Sequence, residues 1–347
     1  MGYRGISDFR SDTVTRPTEE MRKAMYNAEV GDDVLGDDPT VKKLEEIAAE
    51  TTGMEAALFV PSGTMGNTIA VILGSKEGTE IILEEKCHIY NFEAANMARY
   101  ASAMPRPIKS KNGEIPVEEI KANIKTVLRE HIPGTSMICL ENTHNFWGGS
   151  VLSMDYIKEV KEIAKENNLH FHLDGARVFN AATYLNTEVK NITKHFDSVM
   201  FCLSKGLCAP VGSMLAGNKD FISKARFIRK SLGGGMRQAG ILAAAGIVSI
   251  EKMSKRLEED HIRAKKLAEG IADLKGIKVD LDSVQTNFVM VELEEMTSFR
   301  FLEELKKESV LALPFSEKRV RFVTHNDIDD RDIERAVKSI RKILLER

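Results

Sequence analysis

A lysine lies among small and apolar residues in Ser204-Lys205-Gly206-Leu207-Cys208-Ala209-Pro210, directly after the apolar run Val199-Met200-Phe201-Cys202-Leu203. Losing solvation there would lower the amine's pKa and make it a nucleophile for aldehydes. Upstream, Phe171-His172-Leu173-Asp174-Gly175-Ala176-Arg177 sets a carboxylate and a guanidinium at the end of another apolar run. The three side chains fit the needs of a pyridoxal phosphate enzyme: Lys205 for the aldehyde, Asp174 for the ring nitrogen, Arg177 for a substrate carboxylate. A carboxylate about 4 Å from a pyridinium nitrogen gains roughly 4 kcal/mol at an effective dielectric near 20. That raises the ring's pKa by roughly three units, and a protonated ring is the better electron sink.

Other segments could complete such a site. In Pro61-Ser62-Gly63-Thr64-Met65-Gly66-Asn67, glycines and hydroxyls stand between a strand and an apolar helix. Inward-turned amides and a helix N-terminus would cradle a phosphate, although Ser and Thr are also ordinary helix caps. The spacings G-x-G-x-x-G and G-x-x-x-x-G-K are absent. Lys230-Ser231-Leu232-Gly233-Gly234-Gly235-Met236-Arg237 reads as a loop whose two cations suit a phosphate, reached across a subunit boundary. Arg177 and Arg321 could grip a carboxylate bidentately or form plain salt bridges. His88 reads either as a satisfied buried histidine or as an imidazole stacked on a cofactor ring, and His131 has less context still. His170, His172 and Asp174 share one strand face, so a metal site is weighed, but nothing else in the chain reads as a metal cluster.

These residues need rigid elements behind them. From about 39 to 251, short apolar runs alternate with helical stretches: strands at Ala57–Val60, Thr79–Leu83, Ser136–Glu141, His170–Asp174, Ser198–Leu203 and Gly212–Ala216, and a helix over Met154–Asn167. The pattern predicts an α/β fold with a mostly parallel sheet covered by helices on both faces. Such sheets bind ligands beyond the carboxyl ends of their strands, where Asp174 and Lys205 fall. A long helix is expected from Gln238 to about Leu274. Residues 252–347 read as a smaller C-terminal α+β domain, with strands at Lys278–Asp280, Phe288–Glu292 and Arg319–Thr324. The leader 1–38 is expected to pack on the body or on a partner subunit.

The chain has 347 residues, 43% hydrophobic and 29% charged, with a net charge of −3. That balance leaves no electrostatic footprint for nucleic acid. No apolar stretch is long enough to span a membrane, and Met1–Ser7 lacks the apolar core of a secretory signal. Cys87, Cys139, Cys202 and Cys208 show no paired spacing and read as buried thiols in a reducing cytoplasm.

In combination, Arg10–Thr18, Gly31-Asp32-Asp33-Val34, Pro61–Asn67, Glu141-Asn142-Thr143-His144-Asn145, Asp174–Arg177, Ser204–Pro210 and Gly233–Gly240 resemble the threonine aldolases. These are fold-type-I pyridoxal phosphate enzymes of the β-eliminating lyase group, and the resembling segments run in order along nearly the whole chain. The resemblance implies pyridoxal 5'-phosphate as cofactor and cleavage of L-threonine or L-allo-threonine to glycine and acetaldehyde. It implies Lys205 as the Schiff-base lysine, Asp174 as partner of the ring nitrogen and His88 stacked on the ring, with Ser62, Gly63 and Thr64 on the phosphate. Ser11, Arg177 and Arg321 would hold the substrate carboxylate, and His88 or His131 would serve as base. Lys230 and Arg237 would come from a neighbouring subunit of a tetramer of close dimers. Leu35 stands where many relatives carry tyrosine, and Asn91 where some carry an aromatic residue. Both departures bear on the choice between threonine and allo-threonine. Competing readings are an aminotransferase or β-lyase of the same fold, a metal-dependent hydrolase, and a non-catalytic pyridoxal-binding regulator.

Overall fold

Apolar runs too short for helices, rich in Val, Ile, Leu and Phe, favour strands buried on both faces. In the computed structural model, which describes residues 5–125 and 130–345, six of them and one further strand form one sheet. In chain order these are β1 (Ala56–Val60), β2 (Glu80–Glu84), β3 (Met104–Ile108), β4 (Thr135–Glu141), β5 (His170–Asp174), β6 (Ser198–Cys202) and β7 (Ser213–Gly217). Across the sheet the order is β3-β2-β4-β5-β6-β7-β1, and all strands are parallel except β7, which runs against both β6 and β1. The sequence misses β3. Its Met-Pro-Arg-Pro-Ile lacks strand composition, and prolines are tolerated there because it is the edge strand.

Helices cover both faces. On one, Val41, Leu44, Ile157, Val160, Phe179 and Val248 pack against Phe171, Leu173, Val199 and Phe201. On the other, Ile69, Ala70, Ile222 and Ala225 pack against Leu58, Met200 and Leu215. The helix over Met154–Glu166 starts at Ser153, whose hydroxyl accepts from the Tyr156 amide.

The single helix expected from Gln238 to Leu274 is instead two. Gly240–Glu251 is apolar on nearly every side and packs on the large body, whereas Leu257–Ile271 presents Ala264, Leu267 and Ile271 to a second core. A 3-10 turn over Met253–Arg256 redirects the chain between them, since one straight helix could not serve both. The second core gathers Phe9, Val289, Val291, Phe301, Phe322 and Ile340 around a four-stranded antiparallel sheet ordered Leu313–Pro314, Arg319–Val323, Phe288–Leu293, Ile277–Lys278.

The leader binds both bodies. Ser7–Asp8 pairs in parallel with Val310–Leu311, Phe9 enters the second core, and the helix Glu19–Tyr26 lies along Gly240–Glu251. It therefore brings Ser11, Asp12 and Thr13 over the carboxyl edge of the large sheet.

Candidate active site

β5 alternates by the strand rule. Phe171 and Leu173 face one core, while His172 and Asp174 face the helix Gly63–Gly74. Asp174 is buried. One of its oxygens accepts from Asn67 Nδ2 at 3.0 Å and the other from the Ala176 amide at 3.1 Å.

The loop after β1 ends in a helix N-terminus. Ser62 caps the helix by accepting from the Met65 amide at 3.2 Å, and the first amides of any helix have no carbonyl of their own turn to bind. Gly66 permits a close approach to β6, since a Cβ there would lie 2.7 Å from Met200 Cγ. The Ser62–Thr64 turn consequently sits against the strand that leads to Lys205.

Lys205 stands in a tight turn: its carbonyl accepts from the Cys208 amide at 2.9 Å and from Thr15 Oγ1 at 2.9 Å. The side chain is half-buried, and Nζ makes no hydrogen bond or salt bridge among the described residues. Two chambers meet at it. One, of ≈ 340 Å³, is lined by Ser62, Gly63, Thr64, Asn67 and Asp174. The other, of ≈ 400 Å³, is lined by Ser11, Phe92, Asn145, Arg177 and Arg321. Thr13, His88 and Lys205 line both.

The second chamber is cationic. Arg177 donates through Nε and Nη2 to the two oxygens of Asp12, each at 2.7 Å. Burial would raise the Asp12 pKa, but the Arg177 charge and its hydrogen bonds hold the carboxyl well below the usual range. Arg321 has no carboxylate among the described residues. Its Nη1 donates to Asn145 Oδ1 at 3.0 Å, and its buried Nε has no partner. Burial and the neighbouring Arg177 push its pKa down to about 10. Both guanidiniums lie over the ring of Phe288. Two neighbouring cations, Arg177 buried and Arg321 half-buried, and one anion leave room for a second carboxylate. Ser11 lines the same chamber, its hydroxyl accepting from the Thr13 amide.

His88 begins a one-turn helix after β2, and its amide donates to Glu141 Oε2 at 2.6 Å. Its Nδ1 meets Glu93 Oε1 at 3.0 Å, leaving Nε2 free of that contact. Burial disfavours the imidazolium, but the Glu93 hydrogen bond and the fields of Asp174, Glu93 and Glu141 outweigh it and raise the pKa. Burial likewise raises that of Glu93.

The fold does not bring His131 to this site in its own chain. It is exposed, four residues before β4 begins, at the opposite edge of the sheet from Asp174 and Lys205. Lys230 and Arg237 are also exposed and line neither chamber, and Arg237 pairs with Asp32 at 2.9 Å. Leu35 is exposed to 72%, and Asn91 donates to the Glu85 and Cys87 carbonyls rather than entering a chamber. His170, His172 and Asp174 form no common ligand point: His170 Nε2 and His172 Nδ1 both meet Ser198 Oγ, and His172 Nε2 meets Asn67. Ligand atoms of His88, Glu93 and Asp174 do lie within 4.8 Å of one another, but the Asn67 amide and the His88–Glu93 bond occupy them.

Four contributors are given no role by the sequence. Asp12, Asn67 and Asn145 lie inside the motif segments, but their partners Arg177, Asp174 and Arg321 come from distant parts of the chain. Glu93 lies outside those segments, five residues after His88.

The first chamber suits pyridoxal phosphate. A buried carboxylate and a helix N-terminus line it together with a lysine whose Nζ has no polar partner among the described residues, matching a ring nitrogen, a phosphate and an aldehyde.

A sequence profile described as Beta-eliminating lyase matches residues 8–294. The low-specificity L-threonine aldolase 1 of Arabidopsis thaliana is 44% identical over 97% of this chain and 96% of its own. The low specificity L-threonine aldolase of Escherichia coli is 45% identical over 92% of this chain and 94% of its own. Among solved structures, a threonine aldolase of Leishmania major superposes with a TM-score of 0.83 at 18% identity, covering 97% of this chain and 99% of that one. An aspartate aminotransferase of Thermus thermophilus gives 0.73 at 13% identity, covering 98% and 92%. At those identities the two structures speak for the fold alone.

Proposed function

This chain belongs to the β-eliminating lyase family, and on that footing we propose that it is a pyridoxal-phosphate-dependent aldehyde-lyase cleaving L-threonine or L-allo-threonine to glycine and acetaldehyde. The observation that carries the reading is the meeting of two chambers at Lys205 and His88, one ending in Asp174 and a helix N-terminus, the other in two guanidiniums.

When bound, pyridoxal phosphate supplies an aldehyde that condenses with primary amines and a ring that accepts the electrons of a bond broken at Cα. Ser62, Gly63 and Thr64 hold its phosphate, and Asp174 holds a proton at the ring nitrogen. Lys205 would hold the aldehyde until the substrate's amino group takes its place. Arg321, Arg177 and Ser11 would grip the substrate carboxylate and so fix which bond at Cα is presented for cleavage. His88, which lines both chambers, would lie against the cofactor and take the β-hydroxyl proton, directly or through a water. Loss of that proton would let the Cα–Cβ bond break with departure of acetaldehyde, and the proton taken from the hydroxyl, returned to Cα, would complete glycine.

Lys230 and Arg237 are assigned to the phosphate of a neighbouring subunit. Lys205 is the one lysine or arginine lining the first chamber among the described residues, while segments 26–35 and 227–241 display exposed Tyr26, Leu35 and Phe227. An apolar surface of this kind is what association buries. A homo-oligomer with sites at a dimer interface follows. No helix among the described residues is long and apolar enough to cross a membrane. The four cysteines are buried and unpaired, which suits the reducing cytoplasm proposed as its compartment.

The test is to supply L-threonine and L-allo-threonine separately and quantify acetaldehyde and glycine, with Lys205→Ala alongside. Release of both products by the parent, with loss of turnover and of visible cofactor absorbance in the variant, is the expected result. Full activity in Lys205→Ala would refute it.

A further inference from the structure

The site rests on a buried amide to which the proposed reaction gives no part. Asn67 is fully buried in the helix Gly63–Gly74. Its Nδ2 reaches Glu93 Oε1 at 2.9 Å and Asp174 Oδ2 at 3.0 Å, and its Oδ1 meets His172 Nε2 at 3.1 Å. Ionised carboxylates only accept, so both N–H bonds must point at them and the amide oxygen must face the histidine.

The rest of the chain of bonds then has one direction. Asn67 Oδ1 needs a donor, so His172 carries its proton on Nε2. Burial and the neighbouring His170 push the His172 pKa down to about 3, leaving its ring neutral and Nδ1 bare. Nδ1 therefore accepts the Ser198 hydroxyl at 2.8 Å, and Ser198 Oγ in turn accepts from His170 Nε2 at 2.7 Å. Reversing any member would leave a buried donor facing a donor.

We propose that Asn67, locked in one orientation by His172, is a positioning residue for Asp174 and Glu93 together, joining the carboxylate that meets the cofactor's ring nitrogen to the carboxylate that orients His88. Packing alone does not call for an amide here, because an apolar side chain of similar size would fill the space between helix and strand. An amide is required because two carboxylates share that space, and one dipole donating to both offsets their repulsion. The groups facing Glu93 are His88, Asp174 and Asn67, and His88 additionally feels Glu141. Removing the amide frees both carboxylates at once.

The inference rests on the pyridoxal phosphate reading of Asp174 and Lys205. It is tested in the cofactor-loaded protein with Asn67→Leu and with the pair His172→Leu and His172→Gln, since a glutamine amide can reach the place of Nε2 and donate as it did. The readouts are the pH titration of the bound cofactor's visible absorbance and the separate kcat and KM for L-threonine. Asn67→Leu and His172→Leu are expected to move the titration midpoint by about one pH unit or more and to lower kcat about tenfold. KM stays within about threefold because the guanidiniums are untouched, and His172→Gln restores the parent's midpoint and kcat. A midpoint and kcat unchanged in Asn67→Leu and His172→Leu overturn the proposal, as does a His172→Gln as impaired as His172→Leu. Should Asn67→Leu fail to load cofactor, the His172 pair decides by itself. A parent protein that takes up no pyridoxal phosphate would remove the underlying reading and this inference with it; a parent that loads and cleaves normally beside unaltered variants removes this inference alone.

Discussion

Arg177 and Arg321 lie over the same ring, that of Phe288, with guanidinium carbons 4.8 and 5.1 Å from its centroid, yet only Arg177 is neutralised by a carboxylate, that of Asp12. The pair is a built-in charge imbalance in a buried place, and the two arginines should respond differently to mutation. Arg321→Lys keeps a charge but loses the fork that a carboxylate needs, so KM for L-threonine should rise about tenfold, or roughly 1.4 kcal/mol, with little change in melting temperature. Arg177→Ala strands Asp12 in the interior, and a loss of about 3–5 kcal/mol of stability is expected. Steady-state kinetics and urea unfolding of the two variants distinguish these outcomes; equal effects of both on stability would contradict the asymmetry.

Asp12 also sets an acid limit on stability. Its folded-state pKa is held below the ordinary value of 3.8, so its contribution is present above that value and is lost as pH falls toward the folded-state pKa. Asp12→Asn should lower stability at pH 7 and flatten the decline that sets in below about pH 4 and runs toward about pH 2. Urea midpoints across that range measure it, and parallel curves for parent and variant would be the opposing result.

Glu93 tunes His88. The hydrogen bond from Nδ1 helps to raise the histidine's pKa, and a base works only once it has lost its proton, so activity should fall on the acid side through a pKa above the ordinary imidazole value. Glu93→Gln removes that support and should carry the acid limb of kcat/KM to lower pH by about one unit. The pH profile decides; a limb that stays in place would show that His88 is not the titrating base.

A shared site predicts complementation between dead subunits. If Arg237 serves the neighbour's phosphate, mixing Lys205→Ala with Arg237→Ala subunits creates one site having both residues intact. Unfolding and refolding the two inactive proteins together should recover activity, approaching a quarter of the parent level for random pairing into dimers. No gain over the separate proteins would place Arg237 within its own subunit's surface network with Asp32.

Much of this architecture was legible from local pattern. Apolar runs of strand length between amphipathic helices announced the parallel sheet, and strand-end position marked Asp174 and Lys205, because both signals are carried by neighbours in the chain. β3 was hidden by its prolines, and the long helix was read through a break that only the presence of two cores demands. His131 shows a complementary point: a histidine is a candidate base in any sequence, and only the direction of β4 puts it, within its own chain, at the edge of the sheet away from Asp174.

Residue type and spacing along the chain were sufficient to suggest a class of chemistry, since a lysine, an aspartate and a glycine-rich turn each follow a strand. Partnership was settled in space. Asp12 with Arg177, Asn67 with Asp174 and Glu93 with His88 are joined across 165, 107 and 5 positions, and a buried charge or amide acquires its role from whichever donor or acceptor folding sets within about 3 Å of it.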